Sequence, residues 1–122
     1  MQSAWIEVAS SDQHTVKPWF NGKSIQSPVV VDTTAQGFPL LGGRIDVIKG
    51  TPVPVVVYSR RLHTISVSTL PSALNGSFRS SVKAIDGYNI LSFTARGTDY
   101  VAASDLATDE LQSFAKLLQD AQ

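Results

Sequence analysis

The chain has 122 residues, ten basic and ten acidic side chains, and 43% hydrophobic residues, a composition typical of one soluble folded domain. It contains no cysteine, which excludes disulfides, thiol nucleophiles and cysteine-ligated zinc. No apolar run has the length of a membrane span, and we expect no signal peptide in this sequence.

The charges are unevenly distributed along the chain. Residues 44–96 carry seven Lys or Arg against two acids, whereas residues 97–122 carry one lysine against five acids. The basic stretch could contact nucleic acid, but the chain as a whole is neutral. We therefore expect internal compensation of charge and no nucleic-acid partner.

The N-terminal third gives weak signals for regular structure. Residues 1–10 are expected to be poorly ordered. Ser11 and Asp12 can cap one helical turn, but Pro18 should keep Lys17 out of a helix. The sequence therefore predicts a helix of only a few residues here.

Two adjacent aromatic residues follow that proline. Trp19 and Phe20 could form an aromatic platform for a ligand, with His14 and Lys17 beside them. They could equally close one end of the hydrophobic core, and we favour this second interpretation because aromatic side chains most often serve packing.

The densest run of β-branched residues, positions 42–71, predicts three consecutive strands at the centre of the fold. Val55, Val56 and Val57 follow one another, so both faces of the middle strand should be covered. Lys49-Gly50 and Asp86-Gly87 should form hairpin turns. Arg60-Arg61 should reverse the chain into the third strand. The strands expected are residues 44–48, 54–59, 62–69, 78–85, 88–94 and 99–103, and residues 27–32 are either a further strand or an extended segment.

A C-terminal helix is predicted from Thr108, a good N-cap, with Asp109 and Glu110 placed favourably in the first turn. Apolar residues then recur with helical spacing at Leu111, Phe114, Ala115 and Leu118. The sequence therefore predicts an α+β fold: a single domain, mainly antiparallel β-sheet of about six strands, covered by a C-terminal α-helix.

The titratable residues offer little material for catalysis. His14 and His63 are the two histidines, too few for a metal site unless carboxylates converge on them. His63 shares a strand face with apolar residues, which favours a packed, hydrogen-bonded histidine. Arg60 and Arg61 could bind an anion, although turn arginines are usually solvated. With no nucleophile elbow and no phosphate loop, we expect a non-enzyme without metal or cofactor.

Several strings resemble the extracytoplasmic, periplasmic domain of proteobacterial transmembrane anti-sigma factors. The most specific is HTVKPWFNGK within residues 10–23, and the resemblance covers nearly the whole chain. The other strings are residues 36–46 (QGFPLLGGRID), 57–65 (VYSRRLHTI), 87–89 (GYN) and 103–106 (ASDL).

The resemblance implies a periplasmic sensor-like domain over residues 1–122, with residues 1–10 on the membrane-proximal side. In such proteins a cytoplasmic domain holds an ECF-type sigma factor inactive and a single membrane helix follows it. Sigma factor and membrane would therefore be engaged through segments outside this chain. The signal itself, an envelope protein or a small molecule, is not implied.

The candidate binding residues form two groups. The first choice for coupling to the membrane-proximal side is the group His14, Lys17, Trp19 and Phe20, and the second choice is the group Arg60, Arg61 and His63. One alternative is a small-molecule or lipid carrier with a pocket between sheet and helix, lined by Trp19, Phe38, Tyr58 and Phe93. A hydrolase built on His63 and a serine is the least favoured alternative.

Overall fold

The computed structural model describes residues 6–23, 28–70, 81–95 and 97–120. Its main element is an antiparallel sheet of seven strands in the order β1-β2-β3-β4-β7-β6-β5. Within these ranges two α-helices accompany the sheet, α1 (Gln13–Trp19) and α2 (Thr108–Asp120), and the predicted α+β class is confirmed. The strands are β1 (Val8–Ala9), β2 (Leu40–Ile48), β3 (Thr51–Arg60), β4 (His63–Leu70), β5 (Ser81–Ile85), β6 (Tyr88–Ala95) and β7 (Thr98–Ser104).

The seventh strand is β1, in a stretch where no regular structure was predicted. Val8 pairs with Gly43 and Ala9 with Gly42. A Cβ atom on Gly42 would lie 1.9 Å from the Val8 carbonyl oxygen, so a glycine is what allows β1 to approach. Residues 28–32 are not a strand, so that alternative is wrong. Residues 1–5, and positions 78–80 of the predicted strand 78–85, lie outside the described residues.

Helix α1 is longer than predicted, because it continues through Lys17 and Pro18 to Trp19. The Asp12 side chain caps it by accepting a 2.8 Å hydrogen bond from the His14 amide. Pro18 lacks an amide N–H and therefore costs the helix one hydrogen bond. The helix ends within the next turn, so only this one hydrogen bond is lost. The burial of Val16 in the core outweighs that loss.

The main core lies between the sheet and α2. Phe114 of α2 is fully buried and contacts two aromatic rings, with centroids 5.0 Å from Phe38 and 4.9 Å from Tyr58. The helix begins at Thr108 itself, one residue earlier than the predicted cap implied. The four apolar residues predicted for its inner face are all buried: Leu111, Phe114, Ala115 and Leu118.

Strand β3 is covered on both faces, as the run of valines predicted. Six consecutive residues, positions 53–58, are buried. Val56 and Tyr58 belong to the core under α2, whereas Val53, Val55 and Val57 point to the other side of the sheet and are equally inaccessible. The strand is therefore inaccessible to solvent from both sides of the sheet.

Two hairpin turns follow the prediction and a third does not. Lys49-Gly50 and Asp86-Gly87 both adopt positive φ, as two-residue hairpin loops favour. The reversal between β3 and β4 lies at Arg61-Leu62 rather than at Arg60-Arg61, because Arg60 still pairs with His63. This shift by one residue places Arg60 on the sheet and Leu62 at the tip.

Tyr58 is the largest fully buried side chain, and its hydroxyl accepts a 3.2 Å hydrogen bond from the Val31 amide. Burial raises the pKa of Tyr58 from 10.0 to about 12, although the Val31 hydrogen bond partly opposes this shift. The folded protein therefore holds the phenol proton at a pH where the unfolded chain has released it.

We expect this difference to make stability fall as pH rises above the unfolded pKa of Tyr58. Between about pH 9 and about pH 11 the loss should be about 1 kcal/mol. Urea denaturation of wild type and Tyr58→Phe at both values checks it, because the variant lacks this contribution. Parallel loss of stability in both proteins would contradict the assignment to Tyr58.

Candidate functional site

Helix α1 presents two different faces. Val16 and Phe20 point into the core, whereas His14, Lys17 and Asn21 are exposed. The exposed side forms, with Gln13 and Pro18, a shallow depression of about 270 Å³. We call this surface the α1 face; its lining residues are Gln13, His14, Lys17, Pro18 and Asn21.

Phe20 is a core residue, with 2% of its surface exposed. Its ring packs directly on β2, and a Cβ atom on Gly43 would lie 2.5 Å from the ring edge. Trp19 is half-buried and meets Phe20 edge to face at 5.0 Å. The structure supports the packing interpretation of Phe20 and leaves Trp19 at the border of the α1 face.

Two lysines, one in α1 and one just after it, bond to backbone carbonyl groups. Lys17 donates from Nζ to the carbonyl oxygen of Pro28 at 2.9 Å. Lys23 donates from Nζ to the Trp19 carbonyl oxygen at 2.9 Å and lies 4.7 Å from the centroid of the Trp19 ring. The indole is therefore covered by a cation on its exposed side.

The second group of candidate residues forms an ionic cluster where the β3-β4 hairpin meets the start of α2. The Oε1 atom of Glu110 lies 3.1 Å from Arg60 Nε and 3.3 Å from Arg61 Nη1. The hydrogen bond from Arg60 is the main reason why the pKa of Glu110 lies below its ordinary value; desolvation opposes it and Arg61 adds to it. We call this the hairpin cluster; its members are Arg60, Arg61, His63, Asp105 and Glu110.

Arg60 reaches beyond its carboxylate partner. Its guanidinium lies 4.8 Å from the centroid of the Phe38 ring and donates to the Gly37 carbonyl oxygen at 3.4 Å. Gly37 adopts a φ of 91°, a conformation that favours glycine, and a side chain there would collide with the guanidinium. Gly37 and Phe38 therefore form the surface that the Arg60 guanidinium contacts.

His63 completes the hairpin cluster through Asp105. The His63 Nδ1 and Asp105 Oδ1 atoms lie 2.8 Å apart, and both side chains are partly exposed. The predicted hydrogen bond of His63 is present, but the side chain is partly exposed rather than packed, because its partner lies at the surface. The carboxylate fixes the orientation of the imidazole and ties β4 to the loop before α2.

We expect Glu110→Gln to loosen this cluster. Because the folded pKa of Glu110 is lowered, its stabilising effect is present above the unfolded value of about 4.5 and disappears as pH falls through the folded pKa. Thermal unfolding should show a Tm lower by a few degrees at neutral pH, and the difference should shrink as pH falls through the folded pKa of Glu110. The matched control is Asp120→Asn, which breaks only an exposed pair with Lys116 on the same helix; an equal response of both variants would contradict the prediction.

The two groups of predicted residues are separate but linked by one segment. Pro28 accepts the hydrogen bond from Lys17, Val31 donates to Tyr58, and Phe38 packs against Arg60. Residues 28–38 therefore contact α1 at one end and the hairpin cluster at the other. This segment is a continuous physical connection between the two surfaces.

Sequence reasoning missed the acidic half of the hairpin cluster. Asp105 and Glu110 lie more than forty positions away from their partners, and Glu110 was interpreted only as a helix-terminal charge. The available signal was the strong sign asymmetry between the basic sheet and the acidic C-terminal end. This asymmetry indicates that basic residues of the sheet form ion pairs with acidic residues of the C-terminal end, but it does not identify the individual pairs.

Among the described residues, the four aromatic residues considered for a carrier pocket make their ring contacts in separate groups. Phe38 and Tyr58 pack on Phe114, Phe93 stacks on Tyr100 at 5.4 Å, and Trp19 packs on Phe20. Beside α2, two further shallow depressions have volumes of about 230 and 320 Å³. Phe93 lines the larger of them, and the other three rings line neither.

Comparison with known proteins does not identify the chain. No family model matches it, and neither a curated protein nor a solved structure is significantly similar. Within residues 6–23, 28–70, 81–95 and 97–120, no helix is long and apolar enough to span a membrane. Over the same ranges, no three His, Asp or Glu side chains are grouped to hold a metal ion.

Proposed function

We propose that this chain is the periplasmic sensory and interaction domain of a transmembrane anti-sigma factor. In the full protein it would follow a membrane helix, and a cytoplasmic domain would hold an ECF-type sigma factor. A change at the periplasmic domain would then alter release of the sigma factor and hence transcription.

The observation that carries the proposal is that the strings responsible for the resemblance contact one another. Phe20 of the HTVKPWFNGK string packs on Gly43 of the QGFPLLGGRID string. Arg60 of YSRRLH bonds to Gly37 of the same QGF segment. His63 bonds to Asp105 of the ASDL string. Strings that are distant in sequence thus act as one structural unit, as expected if the resemblance reflects a common domain.

The α1 face is the part of this unit that packing does not explain. Val16 and Phe20 account for the inner side of the helix, whereas His14 and Asn21 make no contribution to the core. We assign coupling to this face because, in the proposed arrangement, it follows the membrane-proximal residues 1–10. Its partner would be an envelope protein or a small molecule.

The test is affinity purification of the full-length protein, tagged at its C-terminus and solubilised from membranes of its own organism. We expect one ECF-type sigma factor to co-purify. The same preparation of a protein truncated to residues 1–122 is the control, because this domain should not bind the sigma factor. Recovery of no sigma factor with the full-length protein would contradict the proposal.

A topology fusion provides an independent check on location. Alkaline phosphatase joined after Gln122 of the full-length protein should be active, since that enzyme folds only in the oxidising periplasm. A fluorescent fusion that requires the cytoplasm should be dark at the same position. The reverse pattern would exclude a periplasmic domain.

A further inference from the structure

The turn that follows α1 contains an asparagine directly before a glycine. Asn21 lies two positions after the last residue of the helix and lines the α1 face. In an Asn-Gly pair the backbone nitrogen of the glycine can attack the side-chain amide of the asparagine, because glycine has no Cβ atom to hinder the approach. Neither Asn21 nor Gly22 belongs to the hydrophobic core or to the hairpin cluster.

Both reacting groups are accessible in the folded protein. Asn21 and Gly22 are exposed. Among the residues that the structure describes, none forms a hydrogen bond with the Asn21 side chain or accepts one from the Gly22 N–H. Gly22 adopts a φ of 79°, and a Cβ atom placed on it would meet no other atom within 4 Å. The attack therefore requires rearrangement of one exposed turn and no opening of the core.

Asn89 provides the contrast within the same chain. Its side-chain nitrogen donates to the Leu106 carbonyl oxygen at 2.6 Å, and its backbone lies in β6 between β5 and β7. The following residue, Ile90, is β-branched and crowds the backbone nitrogen that would have to attack. Cyclisation at Asn89 would disrupt the sheet, whereas cyclisation at Asn21 would not.

We propose that Asn21-Gly22 is a modification site that deamidates in the folded protein and places a carboxylate on the α1 face. The Gly22 backbone nitrogen loses its proton and bonds to Cγ of Asn21, and the side-chain nitrogen leaves as ammonia, which gives a cyclic succinimide. Water then opens the ring at one carbonyl carbon to give aspartate or at the other to give isoaspartate. The balance is one water taken up and one ammonia released, without oxidation or a cofactor. The reaction does not depend on the function proposed above.

The new charge acts on the contact between α1 and residues 28–38. Asn21 follows Lys17 by about one helical turn, and both residues line the α1 face. Lys17 Nζ donates to the Pro28 carbonyl oxygen at 2.9 Å. A carboxylate at position 21 competes for this ammonium group, because opposite charges one turn apart attract each other. Deamidation therefore weakens the bond between Lys17 and Pro28.

The test is peptide mapping by mass spectrometry of the folded 122-residue chain after incubation at mildly alkaline pH in water labelled with heavy oxygen. We expect Asn21 to react at least about tenfold faster than Asn89. Its products should be aspartate and isoaspartate, each with one labelled oxygen. Fragment masses separate position 21 from Asn75-Gly76, another Asn-Gly pair of the sequence. A reaction at Asn21 no faster than at Asn89, or one that gives aspartate without isoaspartate, would overturn the proposal.

Two variants separate the reaction from its consequence. Asn21→Gln keeps an exposed amide but must close a larger ring, so position 21 should stay unmodified and the Tm should be unchanged. Asn21→Asp supplies the carboxylate without the reaction. Relative to the wild type, the NMR amide signals of residues 29–31 should shift in Asn21→Asp and stay in place in Asn21→Gln. Equal shifts in both variants, or none in Asn21→Asp, would overturn the competition for Lys17.

Discussion

Replacing Phe114 with alanine should lower the free energy of unfolding by about 3–5 kcal/mol, the range found for aromatic residues removed from a core. The side chain is fully buried and joins α2 to the sheet through Tyr58 and to the 28–38 segment through Phe38. Its loss leaves a cavity between rings that cannot all move inward. Urea denaturation measures the change directly.

Two further variants define the expected result. Phe114→Leu keeps most of the apolar volume and should cost much less than the alanine variant. Gln112→Ala, on the exposed side of the same helix, should change stability by less than about 0.5 kcal/mol. If Phe114→Ala were no more destabilising than Gln112→Ala, α2 would not cover the sheet as described.

Gly43→Ala should have the second largest effect, a loss of about 1–3 kcal/mol, typical of overpacking in a core. The added methyl group would lie 2.5 Å from the Phe20 ring and 3.1 Å from the Val55 carbonyl oxygen. The backbone oxygen belongs to the central strand β3 and cannot yield, so the ring of Phe20 must move. The variant should therefore displace α1.

A double-mutant cycle with Phe20→Leu tests this cause. Leucine lacks the ring atoms nearest to Gly43, so the double variant should be less destabilised than the sum of the two single variants, by about 1 kcal/mol. Strictly additive effects would contradict the contact. Trp19 fluorescence in the folded state should change with Gly43→Ala, because Trp19 packs on Phe20.

The parts of the fold that follow local patterns could be predicted from the sequence. Three successive valines identified β3 as covered on both faces, and Lys49-Gly50 and Asp86-Gly87 identified two hairpin turns. The spacing from Leu111 to Leu118 identified the buried side of α2. Each of these signals lies within a few residues of the structure that it specifies.

The parts that depend on distant contacts could not be predicted. Strand β1 exists because Gly42 lets it approach β2, and α1 continues through Pro18 because Val16 and Phe20 are buried. The strand order also depends on distant pairing, since β7 lies between β4 and β6. A pattern read along the chain contains none of this information.

The candidate site shows the same division. Two groups of candidate residues were predicted, and the structure places them on two separate surfaces: His14, Lys17, Trp19 and Phe20 belong to α1 and its end, and Arg60, Arg61 and His63 belong to the β3-β4 hairpin. Phe20 proved to be a packing residue. The structure was needed to identify Glu110 and Asp105 as acidic partners and to show that Arg60 packs on the Phe38 ring. Contacts between distant elements leave no periodic signal in the sequence.

The most direct test of the proposed function is a transcript profile of cells that carry Phe114→Ala in the full-length protein, compared with cells that carry Val47→Ser. The first variant should disrupt the domain, and the second changes only an exposed side chain. The account predicts that Phe114→Ala shifts a set of genes sharing one promoter sequence, whereas Val47→Ser leaves them unchanged. Indistinguishable transcript profiles, in cells where the Phe114→Ala domain is unfolded, would contradict a role in regulating a sigma factor.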